Sequence, residues 1–209
     1  MRDKLSEYIK GFYFITDFEY SNGKTNFETV EQMINAGAKV IQYREKNKTM
    51  SQKYQEALNI KNLCNQNDCI FIINDHVDLA LAVDADGVHI GQGDLPVSVV
   101  REILGPDKII GLSTHNQSDA VNSNLLDIDY VGVGPIFDTP KKSYAIGFEY
   151  LDYALENIKV PKVVIGGIKE KHLKALIERG CQTICMVSEI TLKDDIPAYI
   201  NKIKKELNW

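Results

Sequence analysis

Residues 69–96 read C-I-F-I-I-N-D-H-V-D-L-A-L-A-V-D-A-D-G-V-H-I-G-Q-G-D-L-P. Ile70–Ile73 is a short, continuous apolar run, as a strand buried on both faces of a parallel sheet requires, and it ends on Asn74-Asp75. A helix is expected over Val77–Val83, then a turn at Asp86-Gly87. A second strand, Val88–Ile90, runs into Gly91-Gln92-Gly93-Asp94. Two parallel strands joined by a helix have their carboxyl ends on one side, which puts Asp75 and Asp94 at one rim. Paired carboxylates there suit a hard cation such as Mg²⁺, which takes oxygen ligands and shares its coordination with substrate phosphates. The same residues read equally as helix N-caps, Asp94 above all, with Leu95-Pro96 behind it.

Outward from this stretch the pattern repeats. Strand-like runs stand at Phe12–Thr16, Val40–Tyr43, Ile70–Ile73, Val88–Ile90, Ile109–Leu112, Tyr130–Val133, Val163–Ile165 and Thr183–Val187. They recur about every 20–30 residues, a spacing that signals repeated architecture. Helical segments separate them. Val30, Met33 and Ile34 lead to Gly37, and Leu173, Leu176 and Ile177 lead to Gly180, glycine being the usual helix terminator. N-A-G-A-K-V-I-Q, D-A-D-G-V-H-I and E-R-G-C-Q-T-I-C share this helix–Gly–strand punctuation. Eight βα units predict an α/β fold, a (β/α)8 TIM barrel, with residues 1–209 as a single domain. The last helix is expected over Ile196–Leu207.

Composition bounds the function. The 209 residues are 44% hydrophobic and 25% charged with a net charge of −5, and no basic stripe interleaves with aromatics. Nucleic acid is therefore not an expected partner. Neither a signal-peptide core nor an apolar window of membrane-spanning length is present, so a cytoplasmic chain with no membrane partner is expected. Self-association into a homo-oligomer stays open. Cys64, Cys69, Cys181 and Cys185 match neither a CxxC pair nor a zinc ribbon and read as buried, reduced thiols rather than a metal site or disulfide.

In a barrel of this kind chemistry sits where strands end. After the second run, Gln42, Arg44 and Lys46 alternate and share one face, able to grip an anionic substrate; a strand end salt-bridged to Glu45 is the plain alternative. The fifth run ends on Ser113, Thr114 and His115, where Ser113 or Asn116 could equally cap the next helix. The longest loop, V-G-V-G-P-I-F-D-T-P-K-K-S-Y-A-I-G, offers Thr139, Lys141 and Lys142 as a phosphate clamp or as a solvated lysine pair. Amides of Gly166-Gly167 and of Val187-Ser188 are expected to face one another between the seventh and eighth strands, a frequent phosphate site in barrels.

V-I-Q-Y-R-E-K, the block from Asn74 to Pro96, G-L-S-T-H, D-Y-V-G-V-G-P-I-F, V-I-G-G-I and M-V-S together resemble the thiamine-phosphate synthases over nearly the whole chain. The resemblance implies an enzyme that joins hydroxymethylpyrimidine pyrophosphate to a thiazole phosphate, carboxylated or not, releasing pyrophosphate. Its partners would be small-molecule substrates. It further implies that Gln42, Arg44, Lys46, Asn74 and Ser113 contact the pyrimidine pyrophosphate, and that Asp75 and Asp94 bind Mg²⁺. Thr139 and Lys142 would hold phosphates, with Lys141 beside them. Gly166 or Gly167, Val187 and Ser188 would bind the thiazole phosphate. Arg44, Lys46, Ser113 and Lys142 would carry the catalytic load.

Three positions depart from the family pattern. Lys141 stands where a threonine is usual, His76 where arginine is usual, and Gly93 where a larger residue is common. A sister branch, a thiazole tautomerase, shares the fold and the loop lysines but can carry His where this chain has Pro135 and tends to lose the two carboxylates. A non-catalytic regulator binding thiazole or thiamine phosphate would keep Gly167 and Ser188 without needing Asp75 and Asp94.

Overall fold

A computed structural model of the chain describes residues 2–139 and 144–207. In order these are α1 (Arg2–Tyr8), β1 (Gly11–Phe12), β2 (Phe14–Ile15), α2 (Asn26–Asn35), β3 (Val40–Tyr43), α3 (Met50–Gln66), β4 (Ile70–Asn74) and α4 (Val77–Ala82). Then follow β5 (Gly87–Ile90), α5 (Val97–Leu104), β6 (Ile109–Thr114), α6 (Gln117–Ser123), β7 (Tyr130–Val133) and α7 (Gly147–Asn157). The chain continues with β8 (Lys162–Ile165), α8 (Leu173–Glu178), β9 (Thr183–Cys185), α9 (Val187–Thr191) and α10 (Ile196–Leu207).

All strand pairs are parallel, in the order β1-β9-β8-β7-β6-β5-β4-β3-β2. The first expected strand, Phe12–Thr16, is split: β1 pairs with β9 and β2 pairs with β3. Tyr13 stands at the break and its N–H donates to Ile184 O at 3.0 Å. One strand thus changes partner in mid-course and closes the sheet into a TIM barrel. The eighth run is shorter than expected. It stops at Cys185, and Val187 already opens α9.

Side chains alternate by strand parity. Val40, Ile70, Ile72, Ile109, Tyr130, Val163 and Cys185 fill the barrel, joined from below by Leu5 of α1 and by Ile9, which follows it. Ile41, Phe71, Ile73, Val88, Ile110, Val131 and Val164 face outward into the helix layer. The terminators Gly37 and Gly180 both take φ 87°, as their positions after helices lead one to expect. At the third expected terminator the roles differ. Asp84, at φ 50°, takes the left-handed turn, and Gly87 lies inside β5, where a Cβ would collide with the Ile109 carbonyl. The four cysteines are free and buried. No helix among the described residues is long and apolar enough to cross a membrane.

Candidate active site

The end of β3 sorts its polar residues by parity. Gln42 is buried inside the barrel and donates through Nε2 to Tyr13 Oη at 3.0 Å. Arg44 lies just past the strand, where Thr16 Oγ1 clamps its backbone, accepting from Arg44 N–H at 2.9 Å and donating to its carbonyl at 3.1 Å. Its guanidinium donates to Asp17 Oδ2 at 2.9 Å. Lys46 reaches across the rim to Asp75 Oδ2 at 2.6 Å, while Asp75 Oδ1 accepts from Asn74 Nδ2 at 2.7 Å. Glu45 has the opposite parity. It accepts from Asn26 and pairs with Lys48, so it does not neutralise Arg44 or Lys46.

Neither carboxylate caps a helix with its side chain. Asp75 holds a left-handed backbone at φ 62°, a conformation that Asp tolerates better than most residues, and the N-cap of α4 is His76. Asp94 Oδ2 accepts from Gly91 N–H at 2.7 Å, closing the turn after β5, and the cap position of α5 falls to Pro96. Both carboxylates follow adjacent parallel strands and stand at the carboxyl-end rim. Their hard oxygen donors fit Mg²⁺. No group of three or more His, Cys, Asp or Glu gathers around a metal position among the described residues.

Ser113 comes from the interior face of β6, and Asn116, not Ser113, caps α6 through Asp119 N–H at 2.9 Å. Ser113 is gripped twice: its Oγ lies 3.0 Å from His89 Nε2, and its carbonyl accepts from Gln92 Nε2 at 2.7 Å. His89 Nδ1 lies 3.0 Å from Tyr130 Oη. Burial pushes the His89 pKa down to about 4; Asp75 opposes that shift, and His115 adds to it. His89 is thus neutral near pH 7. His115 has its Nδ1 on the Gly134 carbonyl.

On the far side of the rim the backbone after β7 packs onto the turn after β8. Phe137 N–H donates to Gly166 O at 3.0 Å and Ile136 N–H to Ile165 O at 3.0 Å. Gly166 and Gly167 have φ 101° and 62°, and a Cβ on either would strike Pro135 or the Asp138 carbonyl, so the close approach demands both glycines. Val187 and Ser188 form the first turn of α9, one residue beyond the buried Met186. Thr139 ends the described part of the loop, and Lys141 and Lys142 lie outside the described residues.

Tyr13, Asp17, His89, Gln92 and Tyr130 join the site without having been singled out from the sequence. The signal available was parity: Tyr13, His89 and Tyr130 are polar or amphipathic residues at inward positions of short apolar strands. His76, one of the departures, meets the buried Lys53, its Nε2 at 3.1 Å from the ammonium.

Residues 12–190 match the family model described as thiamine monophosphate synthase. A thiamine-phosphate synthase of Pelotomaculum thermopropionicum is 49% identical over 92% of this chain and 89% of the relative. One from Dictyoglomus thermophilum is 46% identical over 88% of this chain and 84% of the relative. Among solved structures, a thiamine phosphate pyrophosphorylase of Pyrococcus furiosus superposes with a TM-score of 0.86 at 33% identity, covering 99% of this chain and 97% of that one.

Proposed function

The chain belongs to the thiamine monophosphate synthase family, and from that premise and the rim geometry we infer how its transferase chemistry is laid out. The proposed substrates are hydroxymethylpyrimidine pyrophosphate and a thiazole phosphate. The bond from the pyrimidine's methylene carbon to the pyrophosphate oxygen breaks, and its electron pair leaves with the pyrophosphate. The thiazole nitrogen forms the new C–N bond with its own lone pair, so no nucleophilic side chain is required. The protein's share is orientation and charge stabilisation.

The observation that carries this reading is the hydrogen-bonded group Lys46–Asp75–Asn74 at the rim, with Arg44 held nearby by Asp17. Arg44 and Lys46 would stabilise charge on the departing pyrophosphate, with Lys142 assigned the same role and Lys141 beside it. Asp75 and Asp94 would hold Mg²⁺, which when bound supplies further positive charge to that leaving group. Gln42, Asn74 and Ser113 would contact the pyrimidine substrate. Thr139, Gly166, Gly167, Val187 and Ser188 would hold the thiazole phosphate. A tautomerase needs a base near the thiazole. His89 is engaged at both ring nitrogens, by Tyr130 and Ser113, and His115 rests its Nδ1 on the Gly134 carbonyl; Pro135 of the loop after β7 has no proton to give or take.

The test mixes purified protein with both substrates and follows thiamine phosphate and pyrophosphate. Both products should appear together, should require both substrates, and should vanish in EDTA. Aromatisation of a thiazole carboxylate phosphate supplied alone would move the assignment to the tautomerase.

A further inference from the structure

Four hydrogen bonds run in series through the barrel interior. Gln42 Nε2 donates to Tyr13 Oη at 3.0 Å, Tyr13 Oη lies 2.7 Å from Tyr130 Oη, Tyr130 Oη lies 3.0 Å from His89 Nδ1, and His89 Nε2 lies 3.0 Å from Ser113 Oγ. The direction is set at Gln42, because an amide nitrogen only donates and a phenol has one proton to pass on. Tyr13 receives from Gln42 and gives to Tyr130, and Tyr130 gives to His89 Nδ1. His89 then carries its single proton on Nε2 and gives it to Ser113. The Ser113 hydroxyl accepts from inside the barrel and has its own proton left to donate. Two interior glycines make room for the rings. A Cβ on Gly111 would collide with the Tyr130 ring and His89 Nδ1, and one on Gly132 would press on His89 Cε1 at 3.2 Å.

We propose that Tyr13, Tyr130 and His89 are positioning residues that hold His89 protonated on Nε2 and so present Ser113 as a hydrogen-bond donor to a ring-nitrogen lone pair of the pyrimidine substrate. Gln42 on β3 and Ser113 on β6 lie three strands apart and are tied into one unit by this chain. A heteroaromatic ring with an acceptor nitrogen facing Ser113 takes that proton, whereas a ring presenting an N–H there leaves the Ser113 proton without its acceptor and binds more weakly. The inference rests on the reading that Ser113 meets the pyrimidine substrate.

The tautomer is read directly from two-bond nitrogen–proton correlation spectra of ¹⁵N-histidine protein at pH 7.5, with His89 assigned by its loss in His89→Asn. The expected pattern has the proton on Nε2 and a bare Nδ1, relaxing toward a tautomer mixture in Tyr130→Phe. An Nδ1–H form or an imidazolium in the unaltered protein overturns the proposal, and this arm stands even where a variant fails to fold. In kinetics, Tyr13→Phe and Tyr130→Phe should raise KM for the pyrimidine pyrophosphate about five- to tenfold, the scale of one hydrogen bond, with KM for the thiazole phosphate unchanged. A purely structural role would lower Tm without moving the tautomer or separating the two KM values. An unchanged pyrimidine KM in both tyrosine variants, with a raised one in Ser113→Ala, overturns the chain alone. An unchanged pyrimidine KM in Ser113→Ala sinks the underlying reading and the proposal together.

Discussion

Lys46 Nζ and Asp75 Oδ2 stand 2.6 Å apart, joining the segment after β3 to the residue that follows β4. Both side chains are part-exposed, at 46% and 28%, and such a pair contributes at most about 1 kcal/mol to stability. The role proposed for the pair is in binding, not in stability. Asp75→Asn keeps a residue that accepts φ 62° and should change Tm little, while turnover falls on the order of a hundredfold. Asp94→Asn should do the same, and the double variant should be little worse than either single if both serve one Mg²⁺. Full activity in EDTA, or a double-variant loss equal to the product of the singles, would refute the shared site.

Asp17 offers a different balance. Its carboxylate is buried and holds the Arg44 guanidinium at 2.9 Å. Asp17→Asn keeps the shape but removes the charge that aims Arg44, and charge-assisted bonds of this kind are worth about 1.5–3 kcal/mol. KM for the pyrimidine pyrophosphate should rise about tenfold or more, with a smaller change for the thiazole phosphate. Equal effects on both substrates would mean that Asp17 supports the barrel mouth generally and does not aim Arg44.

These two residues also mark where sequence reading works and where it stops. Val40–Tyr43 and Tyr130–Val133 are legible to the residue, because a fully buried parallel strand is a short apolar run with sharp polar ends. Gln42, Arg44 and Lys46 are legible as a polar set, since alternation needs only the strand period. Their partners Tyr13, Asp17 and Asp75 come from other strands, and no local pattern encodes a contact across a barrel. The break at Tyr13 is hidden for the same reason, being a change of partner and not of composition. Val187 reads as strand in the sequence because a short apolar run continues through Cys185 and Met186 into α9, and period cannot separate strand from helix over so few residues.

His89 links the site to pH. Its pKa in the fold is about 4 against an ordinary 6.5, so between those values the unfolded chain binds a proton that the folded chain refuses. Stability from this group is complete above about pH 6.5 and is lost as pH falls toward 4. At 1.36 kcal/mol per unit, going from pH 7 to pH 5 should cost about 2 kcal/mol through His89. Urea unfolding at both pH values should show a steeper loss for the unaltered protein than for His89→Gln. Parallel losses would mean that His89 titrates normally in the fold.

The base of the barrel should separate stability from activity. Leu5 of α1 and Ile9 just after it are 2% and 3% exposed and pack into the same interior cluster as Val40, Ile70, Ile109 and Val163, at the end opposite the rim. Leu5→Ala leaves a cavity there and should cost about 2–4 kcal/mol in urea unfolding. Arg2 ties α1 down through Asp129 at 2.6 Å, the Pro106 carbonyl at 2.6 Å and Asp127 at 2.9 Å. Removing it is milder, because Asp129 keeps Arg101 at 3.1 Å and Ile110 N–H at 2.8 Å; Arg2→Ala should cost about 1 kcal/mol. Conservation of activity is the sharper half of the test: in a barrel the base carries stability and the carboxyl-end rim carries chemistry. Both variants, assayed well below their Tm, should keep kcat/KM within about twofold. A large fall in kcat/KM for folded Leu5→Ala would mean that the interior transmits the cavity upward to the layer of Gln42, Tyr130 and His89, and that base and rim are not independent.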